Sequence, residues 1–239
     1  MRKKLDEFAY LASHDLQEPL RKIGTLSEFL RLRYKDALGD EGGQYIDMIL
    51  SSVNNMRGII DSLLQFTNLD SEAPEFVPLN LDRVVADVLA DQQLKISETG
   101  ATIDVQPLPQ VEGVASEIRL LMNNLISNSL KFVSGTHPVI RVESTTLGEG
   151  EKTRLRLNSP NKFFKISVSD NGIGFEKEYS ELIFGVFQRL NAKSEYSGSG
   201  IGLATCKKVA DRHNSLIYAE SELGKGSTFS LIMPERQTS

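Results

Sequence analysis

Apolar residues recur at steps of three and four along the first part of the chain. From Leu5 to about Leu38 they form one stripe, which predicts an amphipathic helix. Gly39, Gly42 and Gly43 then interrupt the pattern. A second helix follows, because steps of three and four alternate for almost three heptads. Its apolar positions are Ile46, Ile49, Val53, Met56, Ile60 and Leu63.

Two long amphipathic helices joined by a short loop form a hairpin. A single hairpin cannot cover its own apolar stripe, whereas pairing with a second copy produces a four-helix bundle. The regular heptads favour this homodimer over the alternative, a hairpin packed on the rest of the same chain.

The periodicity changes after residue 70. Residues 71–78 contain two prolines and no repeat, which indicates a linker between residues 1–70 and a second domain at 79–239. Helical and strand patterns interleave there without regular βαβ repeats, so we expect a two-layer α/β sandwich. Helices are predicted at 81–94, 114–132 and 202–212, strands at 101–105, 139–145, 163–169, 216–220 and 227–232, and an extended hairpin tip at 147–161.

Composition narrows the class of protein. Lys and Arg number 27 against 32 Asp and Glu, and no block of like charge occurs, which argues against nucleic acid or anionic membrane as a main partner. One cysteine, Cys206, excludes an internal disulfide and fits a reducing compartment. With no secretory signal and no apolar run of ~20 residues, we expect a cytoplasmic chain, compatible with the cytoplasmic part of a larger receptor.

Three polar or glycine-rich segments in the second domain carry candidate chemistry. The first lies on a predicted helix, where Asn124 and Asn128 share a face with Lys131. An amide oxygen suits Mg²⁺, and the ammonium of Lys131 suits phosphate. The alternative is a solvated polar face of the helix.

The second segment runs from Asp170 to Gly174, after a predicted strand. A carboxylate accepts hydrogen bonds, so Asp170 can receive the exocyclic amine of adenine, and Gly172 and Gly174 let the backbone approach a flat ring. The alternative is an Asx turn that ends the strand.

The third segment, Gly198 to Leu203, opens a predicted helix. Backbone amides at a helix N-terminus bind anions, and Gly198, Gly200 and Gly202 permit close contact with phosphate. The alternative is a flexible loop. The spacing fits neither the dinucleotide fingerprint nor a P-loop, and the polar stretch before it suggests a mobile lid hinged on buried Phe184 and Phe187.

In their order and in their residues these segments resemble the motifs of the ATP-binding domain of sensor histidine kinases and related ATPases. The resemblance covers about residues 79–234 and implies the Bergerat α/β sandwich, with Asn128 on Mg²⁺, Asp170 on adenine and the lid over ATP. Arg189 or Lys193 in the lid region would add charge. The matching segments are the N box (124–132), G1 box (170–175), F box (184–190), G2 box (198–203) and a trailing glycine motif (224–229).

The phosphate acceptor is expected at His14. This residue shares a helical face with Glu18, Arg21 and Thr25, all polar, so it projects from the bundle. A neutral imidazole is a nucleophile near pH 7, and the carboxylate of Asp15 can hold the proton on its other nitrogen. Residues 13–20 resemble the H box of the same kinases, and residues 1–70 their dimerisation and phosphotransfer hairpin.

The resemblance implies an autophosphorylating protein-histidine kinase of two-component signalling, which uses Mg·ATP and passes the phosphoryl group to an aspartate of a response-regulator receiver domain. One position departs from the family pattern: Glu18 stands where many members carry Thr or Asn, so we expect weak phosphatase activity. Two alternatives remain open. One is an ATP-hydrolysing conformational machine, disfavoured because the amide of Asn124 is a poor base. The other is a non-catalytic pseudokinase scaffold. The chain contains no sensor domain.

Overall fold

The computed structural model describes the backbone of residues 2–69, 75–133, 137–157, 160–190 and 198–237, and side chains from Asp15 onward. Two compact units meet in the sequence between Glu72 and Ala73, and the stretch that ends at Ile201 is grouped with the first unit.

The first unit is a hairpin of two long helices, α1 (Arg2–Arg33) and α2 (Lys35–Asn68). The predicted break at three glycines is wrong in detail. Only Gly39, with φ of +61°, leaves the helical conformation, whereas Gly42 and Gly43 lie inside α2. A glycine in a helix costs only about 1 kcal/mol relative to alanine, so helical hydrogen bonding resumes after the turn.

The heptads of α2 divide into two rows with different surroundings. Ile46, Val53 and Ile60 are buried, and the last two form an apolar cluster with Leu20 of α1. Ile49 and Met56 remain 41% and 43% exposed, so this row is not covered by α1. Within the residues that the structure describes, no helix combines the length and apolarity that crossing a bilayer requires.

The second unit is built on a five-stranded mixed sheet in the order β2-β4-β5-β7-β6. β2 pairs with β4 in parallel, and the remaining neighbours are antiparallel. A separate antiparallel pair, β1–β3, lies beside it. The strands are β1 (Val77–Asn80), β2 (Thr102–Val105), β3 (Gln110–Gly113), β4 (Val139–Thr146), β5 (Phe163–Asp170), β6 (Leu216–Glu222) and β7 (Gly226–Pro234).

Helices cover one face of the sheet. Ile166, Val168 and Asp170 alternate along β5 and share a face, and Asp170 contacts Ser129 of α5 from it. α5 presents a buried apolar row that includes Leu121 and Leu125. The helices of this unit are α3 (Leu81–Asp91), α4 (Gln93–Thr99), α5 (Ala115–Lys131), α6 (Glu149–Arg154) and α7 (Gly202–Arg212), with short 3₁₀ turns at Lys177–Tyr179 and Leu182–Phe184. The predicted two-layer α/β sandwich is confirmed.

The opposite face carries a segment that the sequence did not predict correctly. Instead of an extended hairpin tip, residues 147–157 contain α6 and fold back over the sheet. Their side chains Leu147, Leu155 and Leu157 pack against apolar residues of the strands, among them Phe163 and Ile232. The hairpin tip is therefore folded onto the core, because its three leucines find apolar partners there.

The predicted linker at 71–78 is shorter in the structure at its C-terminal end. Val77 and Pro78 already belong to β1, where Val77 pairs with Gly113 and Pro78 with Glu112 of β3. Proline is compatible with a strand that has a free edge, because its missing N–H need not face a partner.

Candidate active site

The carboxylate of Asp170 lies at the end of β5 and is held from three elements. Oδ1 accepts hydrogen bonds from the backbone N–H of Gly172 at 2.9 Å and of Ser227 at 3.3 Å. Oδ2 accepts from Ser227 Oγ at 2.7 Å and lies 3.3 Å from Ser129 Oγ. The bond to Gly172 is the Asx turn considered from the sequence, so the turn and a binding role for Asp170 are compatible.

One acceptor position on Asp170 is adjustable. Ser129 Oγ also lies 3.2 Å from the carbonyl oxygen of Leu125. A hydroxyl has a single hydrogen, so when Ser129 donates it to Leu125 the Oδ2 atom of Asp170 keeps a lone pair for another donor. An exocyclic amine can take that position.

The loop after β5 requires glycine because other backbone segments approach it closely. A Cβ at Gly172 would lie 2.1 Å from the carbonyl oxygen of Phe132, at the end of α5. Gly174 has φ of +61°, and its Cβ would lie 2.2 Å from the carbonyl oxygen of Glu222. These two glycines therefore allow the loop to pack between α5 and the β6–β7 turn. The close backbone contacts within the protein already explain why glycine stands at both positions.

Asn124 of α5 carries an unsatisfied amide. Among the buried side-chain nitrogen and oxygen atoms of the described residues, only its Nδ2 has no hydrogen-bond partner. Its Oδ1 faces the first residue of α7, since a Cβ at Gly202 would lie 3.1 Å from it. A buried unpaired amide is costly, which indicates a place for a polar ligand beside the start of α7.

Lys131 ends α5, one helical turn after Asn128. Its pKa is lowered from 10.5 to about 8, first by burial and then by the positive charges of Arg189 and Lys95. Its ammonium lies 4.3 Å from the centre of the Phe132 ring. Three positive charges therefore lie in one region, an arrangement that favours a polyanion.

The lid prediction is partly wrong. Phe184 is half-buried and its ring lies 6.5 Å from that of Phe229, but Phe187 is 58% exposed and has φ of +63°. Lys193 and most of the predicted lid, 191–197, lie outside the described residues.

The remaining predicted residues are distributed over both units. Gly202 and Leu203 begin α7 in the second unit, whereas Gly198 and Gly200 belong to the stretch grouped with the first. His14 lies on α1, but its side chain is outside the described part of the chain. The side chain of Asp15, next to it, is exposed. Further along α1, Glu18 forms an ion pair with Lys22 at 2.7 Å.

Sequence reasoning missed two residues that hold Asp170, Ser129 and Ser227. Ser129 directly follows Asn128, and Ser227 lies inside the trailing glycine motif, so each was adjacent to a residue already singled out. A hydroxyl near a carboxylate leaves no sequence pattern of its own. Only the folded chain brings α5 and β7 to the same side chain.

Glu117 lies on α5 two turns before Asn124, and its carboxylate binds Arg212 rather than facing the site. Arg212 Nε lies 3.2 Å from both carboxylate oxygens, and its Nη2 lies 3.0 Å from Oε1. Beside them, buried His213 accepts a hydrogen bond from Val114 N at Nε2, at 3.0 Å, and its Nδ1 lies 2.8 Å from the carbonyl oxygen of Val209. Burial lowers the pKa of His213. This cluster ties the start of α5 to the end of α7.

Fold and site together define a class: a nucleotide-binding α/β sandwich preceded by a helical hairpin. Residues 113–237 match the family model of the histidine kinase-, DNA gyrase B-, and HSP90-like ATPases. Residues 4–72 match the His Kinase A (phospho-acceptor) domain. The second match favours the kinase over the other ATPases of the first family.

Two curated relatives match over nearly the whole chain. Cyanobacterial phytochrome A of Nostoc sp. is 37% identical over 231 residues, which cover 97% of this chain and 28% of that protein. Phytochrome-like protein Cph1 of Synechocystis sp. is 35% identical over 230 residues, which cover 96% of this chain and 29% of that protein. The chain thus spans less than a third of these curated relatives.

The fold is also that of a solved kinase. The crystal structure of full-length ShkA in complex with AMPPNP superposes with a TM-score of 0.68 at 20% identity, over 98% of this chain and 46% of that chain. The chain belongs to the histidine kinase family and carries its catalytic core, as the motifs predicted. An ATP-binding domain is part of that core.

Proposed function

We propose that this chain is an autophosphorylating protein-histidine kinase that transfers the γ-phosphoryl group of Mg·ATP to His14. The observation that carries the proposal is the buried, unpaired amide of Asn124 beside the first residue of α7. An amide donor and a helix N-terminus at one place suit phosphate oxygens. The relationship to a kinase solved with AMPPNP supports the same ligand class.

Each end of the nucleotide has a chemically suited partner. Adenine offers its exocyclic amine to Asp170, whose Oδ2 accepts once Ser129 donates to Leu125. The triphosphate would be held by the amides of Gly202 and Leu203, which open α7, and by the charges of Lys131 and Arg189. The resemblance to the G2 box assigns Gly198 and Gly200 to the same phosphates.

A magnesium ion fits the donor set around α5. Among the described residues, no group of three or more histidine, cysteine or acidic side chains is placed to hold a metal. The metal would therefore be held by the amide oxygen of Asn128 together with phosphate oxygens and water, which is how Mg²⁺ is commonly bound beside nucleotides. When bound it neutralises charge on the phosphates.

At His14 the reaction is a simple displacement. An unprotonated ring nitrogen attacks the γ-phosphorus, a nitrogen–phosphorus bond forms, and the bond to the bridging oxygen breaks so that ADP leaves with the electron pair. Asp15 would accept a hydrogen bond from the other ring nitrogen and stabilise the positive charge that develops there. Positioning and charge neutralisation supply most of the catalysis.

The proposed partners are a second copy of the chain and a response-regulator receiver domain. The exposed row of Ile49 and Met56, together with exposed Leu16 and Ile23 on α1, gives the hairpin an apolar surface that a second hairpin would cover. A related kinase, ThkA, was solved in complex with the response regulator TrrA, which supports transfer from His14 to a receiver aspartate. Because ATP and receiver domains are found in the cytoplasm, we propose that this chain is cytoplasmic.

Incubation with γ-labelled ATP and Mg²⁺ tests the reaction. The wild type should take up label that is acid-labile and alkali-stable, His14→Gln should take up none, and His137→Gln serves as the matched control because His137 is an exposed histidine of the other unit. Equal labelling of wild type and His14→Gln would refute the proposal, and nucleotide binding without any labelling would support the scaffold instead.

A further inference from the structure

The side chain of Asn171 bridges two backbone groups at the start of β4. Its Nδ2 donates to the carbonyl oxygen of His137 at 3.0 Å, and its Oδ1 accepts from the backbone N–H of Val139 at 2.8 Å. The Asn171 backbone N–H also donates to the carbonyl oxygen of Val139 at 3.3 Å. The amide thus imitates a peptide group and extends the β4–β5 ladder past its last pair, Ile140 with Asp170.

The residues after Asn171 are attached to a different element. Ile173 N–H donates to the carbonyl oxygen of Phe132 at 3.0 Å, and Gly172 approaches that same oxygen. The loop that follows Asp170 is therefore fastened to β4, to the end of α5 and, through the Gly224 N–H that donates to the carbonyl oxygen of Ile173 at 2.7 Å, to the β6–β7 turn. Lys131 precedes Phe132, so the second attachment lies next to the cation expected at the phosphates.

We propose that Asn171 is a positioning residue of the nucleotide site, which rests on the function proposed above. It touches no substrate. By fixing the loop against β4 it holds the Asp170 carboxylate and the Gly172 turn in the arrangement that receives adenine. Without it only one bond to β4 remains, from Asn171 N–H to the carbonyl oxygen of Val139, while the bonds to α5 and to the β6–β7 turn persist. The loop is then ordered more loosely before the nucleotide binds, and fixing it on binding is at the expense of affinity.

The chemistry at this position calls for an amide. A carboxylate at 171 can accept from the Val139 N–H but presents negative charge to the His137 carbonyl oxygen, and alanine makes neither bond. Asn171→Asp should therefore retain part of the function that Asn171→Ala loses. This graded order separates positioning from a general loss of packing.

The other end of β5 offers a matched control. Asn161 Nδ2 donates to the carbonyl oxygen of Arg236 at 3.1 Å, which is also a bond from an asparagine side chain to backbone. Asn161 lies before Phe163, the first residue of β5, whereas Asn171 follows Asp170, the last. Asn161→Ala removes a bond of the same kind beyond the other end of β5 without touching the loop.

ATP affinity is measured by displacement of a fluorescent ATP analogue, and KM and kcat are measured for autophosphorylation. Unfolding of each variant in urea shows whether it is folded. We expect Asn171→Ala to weaken ATP binding about tenfold, the size of one or two lost hydrogen bonds, and to raise KM while kcat at saturating ATP is retained. Asn171→Asp should fall between it and the wild type, and Asn161→Ala should bind within about twofold of the wild type.

Two results would overturn the inference: wild-type affinity in Asn171→Ala, or an equal loss in Asn161→Ala. If Asn171→Ala does not fold, wild-type affinity in Asn171→Asp would count equally against it. A wild-type protein that binds ATP but leaves His14 unlabelled refutes the proposed kinase activity. The proposed role of Asn171 is then still decided by the comparison of ATP affinities. A wild type that binds no ATP refutes both.

Discussion

The lowered pKa of Lys131 predicts that ATP affinity falls as the solution becomes alkaline. In the free protein this pKa is about 8, because burial and the charges of Arg189 and Lys95 disfavour the ammonium. A bound triphosphate favours the charged form, so binding raises the pKa and takes up a proton. If only the ammonium binds phosphate, the competent fraction falls from about nine-tenths at pH 7 to about one-tenth at pH 9, which weakens ATP roughly tenfold.

Isothermal titration calorimetry at fixed free Mg²⁺ and ionic strength, from pH 7 to pH 9, measures this slope. Repeating it at pH 8 in buffers of different ionisation enthalpy should give an uptake of about half a proton per ATP. Lys131→Arg is the matched control, since a guanidinium stays charged throughout this range. Lys131→Met should bind weakly at every pH.

Both variants should show ATP affinity that does not change with pH. A loss of affinity in Lys131→Arg as steep as in the wild type would exclude Lys131 as the titrating group, because another group would then be responsible. Binding of ATP to the wild type at pH 8 without uptake of a proton would exclude it as well.

Three further predictions concern stability and the fate of the phosphoryl group. Gly172→Ala should lower the free energy of unfolding in urea by about 3 kcal/mol, because its Cβ would meet a backbone carbonyl oxygen at 2.1 Å. At Gly150 nothing lies within 4 Å of the added Cβ, so Gly150→Ala should raise the free energy of unfolding by up to about 1 kcal/mol. An equal effect of the two substitutions would contradict the geometry. Arg212→Met should cost about 3 kcal/mol in the same assay, because it removes the guanidinium from the buried carboxylate of Glu117 and leaves His213 Nδ1, 3.7 Å away, as its neighbour. A loss under 1 kcal/mol would show that water or a protonated His213 compensates this carboxylate. Glu18→Thr should raise dephosphorylation of a phosphorylated receiver domain several-fold with autophosphorylation unchanged, whereas no change would show that position 18 does not limit that activity.

The elements that the sequence predicts well are those whose own pattern decides their structure. α7 has the predicted bounds, Gly202–Arg212, because a glycine-rich start and a periodic apolar face both mark it. Strands β4 and β5 follow from alternation of apolar and polar residues. Such signals are local, and tertiary contacts do not override them here.

The missed elements depend on partners far away in the sequence. β1 contains Pro78 and β3 ends at Gly113, and the two strands pair with each other across α3, α4 and β2. α6 lies in a polar segment. It packs on the sheet because the leucines beside it contact apolar residues on the face opposite to α5. For the candidate site, the asparagines, Asp170 and the glycines were visible as motifs. The sequence could not predict that the hydroxyls of Ser129 and Ser227 contact Asp170, or that the Asn171 side chain bonds to the start of β4. These contacts are visible only in the folded structure.

The strand order has a consequence for how the second unit is made. β7 is the last of its strands in the sequence, yet it lies inside the sheet, between β5 and β6. While the chain leaves the ribosome, β5 has only one of its two neighbours, and β6 has no strand to pair with until β7 emerges. The sandwich therefore closes late, through contacts between distant residues, which is slow and exposes apolar strand edges meanwhile. We expect nascent chains that stop before Gly226 to be bound by chaperones or degraded.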